Sequence, residues 1–389
     1  ELFTLPAIRA QWLGLTQVEG TTVTADTLIL PCLTILPMGW SWALHLCQLV
    51  TANALLRSGI PLAQCVQDGR SGVVVSDSGT IGAAAYVDNY ATFGHDASQV
   101  DAALRDINDS LQKAGLVVHE VQEASCECTF TGLEFRERGH VVSVSKKRIW
   151  RLRGALEEII ERNYVSGTAL RVLLGHYTWC ALMRREALSI VHACYAFVEK
   201  VGPLQVRLWA GVRRELSDMI AILPLLRTNL SAAWHTTVAA VDASEFGIGI
   251  CRRALDPLLI GKLGRASERW RFQVESAIKA RESALKTQEE PDPEPTSWQD
   301  VVTERAAEFH EVPDTVLREA DWAVAVAGRV VADRNILELE GWAAALGLRH
   351  LLRDSNAIGK RLLVLGDNLP TVLGVAKGRA RSPLLRAPL

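Results

Sequence analysis

Residues 27–56 contain no Asp, Glu, Lys or Arg. An uncharged run of that length belongs either in the interior of a sizeable domain or in a membrane. Pro31, Pro37 and Gly39 break it, and His45, Gln48 and Asn53 follow at helical spacing. A spanning helix tolerates this combination poorly. The stretch therefore reads as a buried strand over 28–36 interrupted at Pro31, then a loop, then a core helix over 40–56. In that helix Trp42, Leu46, Leu49, Val50 and Leu56 recur with a helical period. No membrane is expected, and the core is large. With 389 residues, 49% of them hydrophobic, the chain has room for two or three domains.

The stretch that organises the chemistry of this first part lies downstream. Tyr86-Val87-Asp88-Asn89 sits between two runs that read as short strands, 81–86 and 90–94. Asp and Asn side chains bond their own backbone and tolerate unusual dihedrals, so the reading is a tight hairpin with a carboxylate at its tip. A rigidly held carboxylate suits a divalent metal that handles phosphates, although Asp at a hairpin is most often only a turn residue. A second segment, Leu36-Pro37-Met38-Gly39-Trp40, is followed by Gln48 nine residues after the glycine. A Leu-Pro-x-Gly-Trp segment, a helix carrying Gln, and then a Tyr-x-Asp hairpin together resemble reverse transcriptases. The resemblance implies that Gly39 and Gln48 support template and incoming nucleotide, that Tyr86 packs near the primer end, and that Asp88 is a catalytic metal ligand of the palm. It continues through a helix over 98–114, with Ser98 as the expected N-cap and Gly115 as its end. Strands follow over 116–118, 129–135 (Thr-Phe-Thr-Gly-Leu-Glu-Phe) and 140–144.

Residues 136–185 hold eleven Lys or Arg against four Glu, whereas the whole chain has a net charge of −2. There is no global basic field, so a nucleic-acid partner would have to be gripped locally. Ser145 opens a helix carrying Lys146, Lys147 and Arg148, and a second helix over 168–182 holds Trp179. A solvated helix face is the plain alternative. Following a palm, this segment resembles the thumb and connection of retroelement polymerases, including the Leu-x-x-Leu-Leu-Gly-His-Tyr run at 170–177. That resemblance implies that Lys146, Lys147 and Arg148 bind substrate.

A second constellation begins near Trp234. A β-branched strand over 236–241 runs into Asp242-Ala243-Ser244, and Gly247-x-Gly249 opens its hairpin partner. No helix follows to make a phosphate loop, and no Gly-x-x-x-x-Gly-Lys-Ser/Thr occurs, so nucleotide-fold readings fall away. Glu338 and Glu340 lead into a helix, and a strand over 361–365 ends at Gly366-Asp367-Asn368. Three carboxylates on a strand end, a helix and a second strand end can converge on two divalent ions that activate water for phosphodiester hydrolysis. The order resembles a ribonuclease H domain, with Asn368, Lys377, Gly378 and Arg379 in the form found in retroelements. By that resemblance Asp242, Glu340 and Asp367 are the catalytic metal ligands. Glu338 is the rival at the helix position, although the step from Glu340 to Ala343 and on to Leu348 fits better. Residues 264–286 read as a charged helix and 289–295 as a Pro/acid linker. They lengthen the interval from Asp242 to Glu340, so either this insert loops out or the assignment of this half is wrong.

The expected fold is thus an α+β reverse-transcriptase palm and thumb followed by an α/β ribonuclease H-like domain. The expected domains are 1–135 (partial palm), 136–230 (thumb or connection) and 231–389 (ribonuclease H-like, with an insertion over about 253–320). The resemblance implies RNA-directed DNA polymerase (nucleotidyltransferase) and hybrid-cutting endonuclease activities, Mg2+ (or Mn2+) as cofactor, and RNA–DNA hybrid and template–primer nucleic acid as partners. It implies dNTP only if the polymerase site is completed. The departures are specific. Asn89 stands where the family has a second Asp, and Ala43-Leu44 replaces Ser-Pro. The expected position of a further palm Asp falls just upstream of Glu1, Asp26 lies too close to the next strand, and a fourth nuclease carboxylate would lie beyond Leu389. The chain reads as a fragment: a truncated gene model, a degenerate copy or a piece of a longer protein. Alone it is expected not to polymerise. A catalytically dead nucleic-acid-binding relic is the rival reading, and a soluble α/β protein with coincidental motifs is a third. Eight unpaired-looking cysteines suit reduced thiols in an intracellular, cytoplasmic or nuclear setting rather than a secreted one. A zinc site at Cys126-x-Cys128 with His119 and His140 has spacing too short for a knuckle.

Overall fold

The structure, a computed structural model, describes residues 5–32, 35–37, 39–40, 42–68, 72–75, 79–274, 303–305, 309–330 and 334–378. Helices and sheets are mixed along the chain, which divides into two compact units. One comprises Glu1–Val66 with Val73–Ala124, the other Gln67–Gly72 with Ser125–Leu389.

In the first unit the uncharged stretch resolves into a short strand and a helix. Leu28–Ile29 pairs antiparallel with Ile8–Arg9. The strand expected over 28–36 stops there: Pro31 has no N–H to continue a ladder, and its carbonyl instead accepts from the Leu5 N–H at 2.7 Å. Helix α1 (Ala43–Arg57) then buries Ala43, Thr51, Ala54 and Leu55. A three-stranded sheet in the order β1 (Cys65–Val66), β2 (Gly82–Tyr86), β3 (Asn89–Phe93) follows, with β1 parallel to β2 and β3 antiparallel to it. Gly82 must be glycine, because a Cβ there would lie 2.3 Å from the Phe93 ring. Helix α2 (Ala97–Lys113) packs Ile107 and Leu111 against Leu55, Cys65 and Ala83. Its cap is Asp96 rather than Ser98. The Asp96 carboxylate accepts from the Ser98 and Gln99 backbone N–H groups at 2.8 and 3.2 Å, which sets the start two residues earlier. Residues 116–118, expected as a strand, find no sheet neighbour among the described residues.

The second unit opens with strands β4 (Cys128–Phe130), β5 (Leu133–Arg136) and β6 (Val141–Val144). The expected strand over 129–135 is split, because Thr131 and Gly132 both take positive φ, +50° and +83°, and turn the chain back on itself. Ser145 caps helix α3 (Lys146–Arg162), its hydroxyl accepting from the Arg148 N–H at 3.4 Å. Helices α4 (Gly167–Ala181), α5 (His192–Val201) and α6 (Ala210–Ile222) complete an apolar core around Leu156, Leu174, Tyr177, Phe197 and Leu216. Strand β7 (Arg227–Asn229) then pairs back onto β6, giving the order β7-β6-β5-β4.

A second four-stranded sheet follows. β8 (Thr237–Ser244) and β9 (Gly247–Ala254) form a hairpin in the register Asp242↔Gly249 and Ser244↔Gly247. Helix α7 (Pro257–Gly264) comes next. The charged helix expected over 264–286 does not form across 265–274, where a 3-10 turn at Glu268–Trp270 and a strand at Phe272–Val274 stand instead. The remainder of that segment and the 289–295 linker lie outside the described residues. β10 (Ala323–Arg329) pairs antiparallel with β9. Helix α8 (Ile336–Leu351) packs on β8, and β11 (Val364–Leu365) runs parallel to β8 at Ala239 and Ala240. The order is β10-β9-β8-β11. β11 is shorter than the strand expected over 361–365, because Arg361 makes only an isolated bridge to Trp234. Helix α9 (Leu369–Lys377) follows Asp367 and ends at Gly378, φ +64°; Arg379 lies outside the described residues. Among the described residues no helix is long and apolar enough to cross a membrane.

Candidate active site: a carboxylate cluster and a strained hairpin

In the second unit three elements deliver carboxylates to one place. Asp242 stands near the end of β8 and is exposed; Glu340 is in the first turns of α8 and only 6% exposed; Asp367 follows β11 and is exposed. One oxygen from each lies within 4.8 Å of the others. Each position has a local cause. Asn335 caps α8 by accepting from the Leu337 N–H at 2.9 Å, and Asn368 caps α9 by accepting from the Thr371 N–H at 3.0 Å. Asp367 is therefore pinned at the junction between a strand end and a helix start. Glu340, Ala343, Gly347 and Leu351 are all buried and form the stripe of α8 that faces the sheet. Gly347 lets the helix sit close, since a Cβ there would come within 2.5 Å of Val241 Cγ1.

Among the described residues, none of the three carboxylates is ion-paired with Lys or Arg. Glu340 carries the consequence. Burial, then the charge of Asp367, then that of Asp242 push its carboxyl above the ordinary range, and a hydrogen bond from the Ala243 backbone N–H pulls the other way. Three converging hard oxygen donors suit a hard divalent cation better than a soft metal. Glu338, the rival, points elsewhere: it pairs with Arg334, and Trp342 Nε1 reaches it at 3.4 Å.

In the first unit, Tyr86 pairs with Asn89 and leaves a two-residue loop, Val87-Asp88. Val87 has φ +58°. A β-branched residue in this region is a genuine outlier, costing about 1–3 kcal/mol. Helix α1 holds it there. Gln48 Oε1 accepts from the Val87 N–H at 2.7 Å, Gln48 Nε2 donates to the Ala85 carbonyl at 3.1 Å, and Thr51 Oγ1 donates to the Val87 carbonyl at 2.6 Å. The side-chain amide of Gln48 is thus spent on the hairpin backbone. Thr51 was not singled out from the sequence, although its place three residues after Gln48 on one helix face was a usable signal. Replacing Gln48 with Leu is expected to speed exchange of the Val87 amide by about tenfold, as its part-buried N–H loses its partner at a cost of about 1 kcal/mol or more. Unchanged exchange would show that the turn holds itself. Asp88 and Tyr86 are exposed, and Asn89 Nδ2 donates to Asp88 Oδ1 at 3.0 Å. Gly39, φ +93°, has open space around its α-carbon; Met38 and Ser41 beside it lie outside the described residues.

On α3, Lys146 and Lys147 are exposed without an ion-pair partner among the described residues. The guanidinium of Arg148 lies 4.0 Å from the centre of the Trp179 ring, so part of its role is to hold α3 to α4.

No family model matches the chain, and no curated protein does. Solved structures match it in part. The likeness is to foamy viral protease-reverse transcriptases. One in complex with dsDNA is 13% identical, covering 86% of this chain and 52% of that one, with a TM-score of 0.37. One in complex with an RNA/DNA hybrid is 13% identical over 76% and 50%, TM-score 0.29. A form designated dRH, in complex with dsDNA, is 17% identical over 46% and 31%, TM-score 0.30. This chain spans between about a third and about a half of the length of those proteins.

Proposed function

We propose that this chain is part of a retroelement polyprotein whose 231–389 region is a ribonuclease H-like domain that cuts the RNA strand of RNA–DNA hybrids. In this reading 1–135 is a reverse-transcriptase palm and 136–230 its thumb or connection. The observation that carries the nuclease reading is the convergence of Asp242, Glu340 and Asp367 from three separate elements, with no Lys or Arg paired to them among the described residues. Magnesium or manganese ions, when bound by these carboxylates, would activate water and stabilise the leaving oxygen of a phosphodiester. Asp242 and Asp367 present exposed oxygens on the open side, while buried Glu340, steadied by the Ala243 N–H, anchors the inner side. The deciding experiment is cleavage of an RNA–DNA hybrid by this chain with magnesium and with EDTA, beside Asp242→Asn. Metal-dependent cleavage lost in the variant is the expected result. Hybrid binding without cleavage would replace the proposal with the non-catalytic relic.

The grip on nucleic acid is proposed to come from α3. Replacing Lys146 and Lys147 with Gln is expected to flatten the dependence of log K on log[salt] by about 0.9 for each duplex phosphate that the protein no longer neutralises. An unchanged slope would place the grip elsewhere.

A further inference from the structure

A cleft of about 390 Å³ opens beside Asp242, and its walls and floor include Ser244, Gly247, Gly249, Ala327 and Arg329. The sheet register explains its shape. Asp242 stands opposite Gly249, which stands opposite Ala327; Ser244 stands opposite Gly247, which stands opposite Arg329. Directly paired positions share one face of a sheet. Outward from Asp242 and Ser244, that face is therefore almost bare backbone for the width of two strands, and it ends at a guanidinium. The glycines differ in what they permit. A Cβ on Gly247 would lie 2.7 Å from the Gly328 carbonyl oxygen, so close strand approach demands glycine there. A Cβ on Gly249 would meet nothing within 4 Å, so packing does not account for that glycine. The Ser244 hydroxyl is already occupied, accepting from the Phe246 and Gly247 N–H groups at 3.3 and 3.2 Å. The cations of this sheet differ too. Arg253 is engaged by Asp321 and by the Thr315 and Val316 carbonyls, whereas Arg329 is exposed with no ion pair among the described residues.

We infer that this cleft is a subsite for the sugar–phosphate backbone of the strand being cut, with Arg329 clamping a phosphate that neighbours the scissile one. The inference rests on the hydrolytic reading of the carboxylate cluster. Arg329 stands two strands from Asp242, roughly 10 Å across the sheet, and two residues along, roughly 7 Å. A phosphodiester backbone can bridge that span. Ile248 is the one large apolar residue of the lining and none is aromatic, so a base finds no ring to stack on, whereas the glycines let a ribose–phosphate chain lie close. The guanidinium fork matches a phosphate, and it supplies attraction at the end of the cleft where the carboxylates do not.

The test uses the full chain with Arg329→Gln, Arg329→Lys and Gly249→Val. The substrates are RNA–DNA hybrids bearing one neutral methylphosphonate at successive positions around the cut. Cleavage is measured in magnesium and binding in EDTA. Arg329→Gln is expected to lower kcat/KM about 10- to 100-fold, with partial recovery in Arg329→Lys. One methylphosphonate position should cost wild type the same factor and cost Arg329→Gln nothing further. Gly249→Val, whose side chain has room, should fold normally and lose cleavage at least about tenfold by filling the cleft. Full activity in Arg329→Gln, or additive losses at every position, overturns the inference. If wild type binds hybrid but does not cut it, the hydrolytic reading fails, and the Arg329–phosphate coupling measured in binding still decides the clamp. Absence of both binding and cutting overturns both.

Discussion

Replacing Glu340 with Gln is expected to reduce metal-dependent cleavage of an RNA–DNA hybrid by about a thousandfold or more, and to raise the melting temperature of the metal-free protein. The two effects have one origin. Glu340 is 6% exposed and lies beside the Asp242 and Asp367 carboxylates, with no Lys or Arg paired to it among the described residues. Burial, Asp367 and Asp242 all favour its protonated form, so the folded chain holds a proton over a pH range in which the unfolded chain has released it. Stability contributed by this group therefore falls as pH rises from the ordinary carboxylate range through the raised value. Glutamine removes that dependence. Melting curves of wild type and Glu340→Gln in EDTA should converge at acid pH and separate towards neutrality, with the variant higher. Metal reverses the balance in wild type, because a bound cation favours the deprotonated carboxylate. Metal affinity should accordingly weaken on acidification at a higher pH than an ordinary Glu would give. A metal-free variant that melts below wild type at neutral pH would show that the carboxylate stabilises the fold, which would contradict its role as an unfilled metal ligand.

Gly347→Ala is expected to damage both the fold and the chemistry from a position seven residues away on the same face of the helix. The added methyl would come within 2.5 Å of Val241 Cγ1, and Val241 is itself buried in β8 next to Asp242. Overpacking of this kind costs about 1–3 kcal/mol, against about 1 kcal/mol gained from replacing a helical glycine. A net loss of up to about 2 kcal/mol follows, read by urea or thermal unfolding. The helix must move away from the strand, carrying Glu340 away from Asp242, and small misplacements of this order cost about 100-fold in rate. Val241→Ala removes the opposing methyls. The double variant should lose less than the sum of the two single variants, in stability and in hybrid cleavage alike. Additive losses would mean that α8 and β8 adjust independently, and the shared stripe would not be what sets the cluster's geometry.

Much of this site was legible along the chain because its parts obey local rules. The Asp-Asn turn between two strand-like runs becomes the β2–β3 hairpin. Ser145 becomes the cap of α3. The Asp242 hairpin and the helix bearing Glu338 and Glu340 form at their expected places. The caps and the helical period rest on neighbours within a few residues, whereas the hairpin's Val87-Asp88 loop is also held by Gln48 and Thr51 of α1. Where competing local signals were close, the reading slipped by a small step. Asp96 displaced Ser98 as a cap because its carboxylate, two residues earlier, accepts from the Ser98 and Gln99 N–H groups and so starts the helix sooner.

What the sequence by itself determined was therefore the order of the elements and which of them carry acid groups. Three things waited for the tertiary structure. Two helical residues two places apart point roughly 200° apart around the axis; the spacing to Ala343 favours Glu340, and the packing of α8 on β8 supplies the contacts, turning Glu340 inward to the acids and Glu338 to Arg334. The fold brings the Ala85 and Val87 backbone to the Gln48 side-chain amide from 37 and 39 positions away. The bare face between Asp242 and Arg329 exists only because three strands pair in one register. Such facts depend on residues far apart in the chain meeting in space, and those meetings are set by which surfaces bury each other.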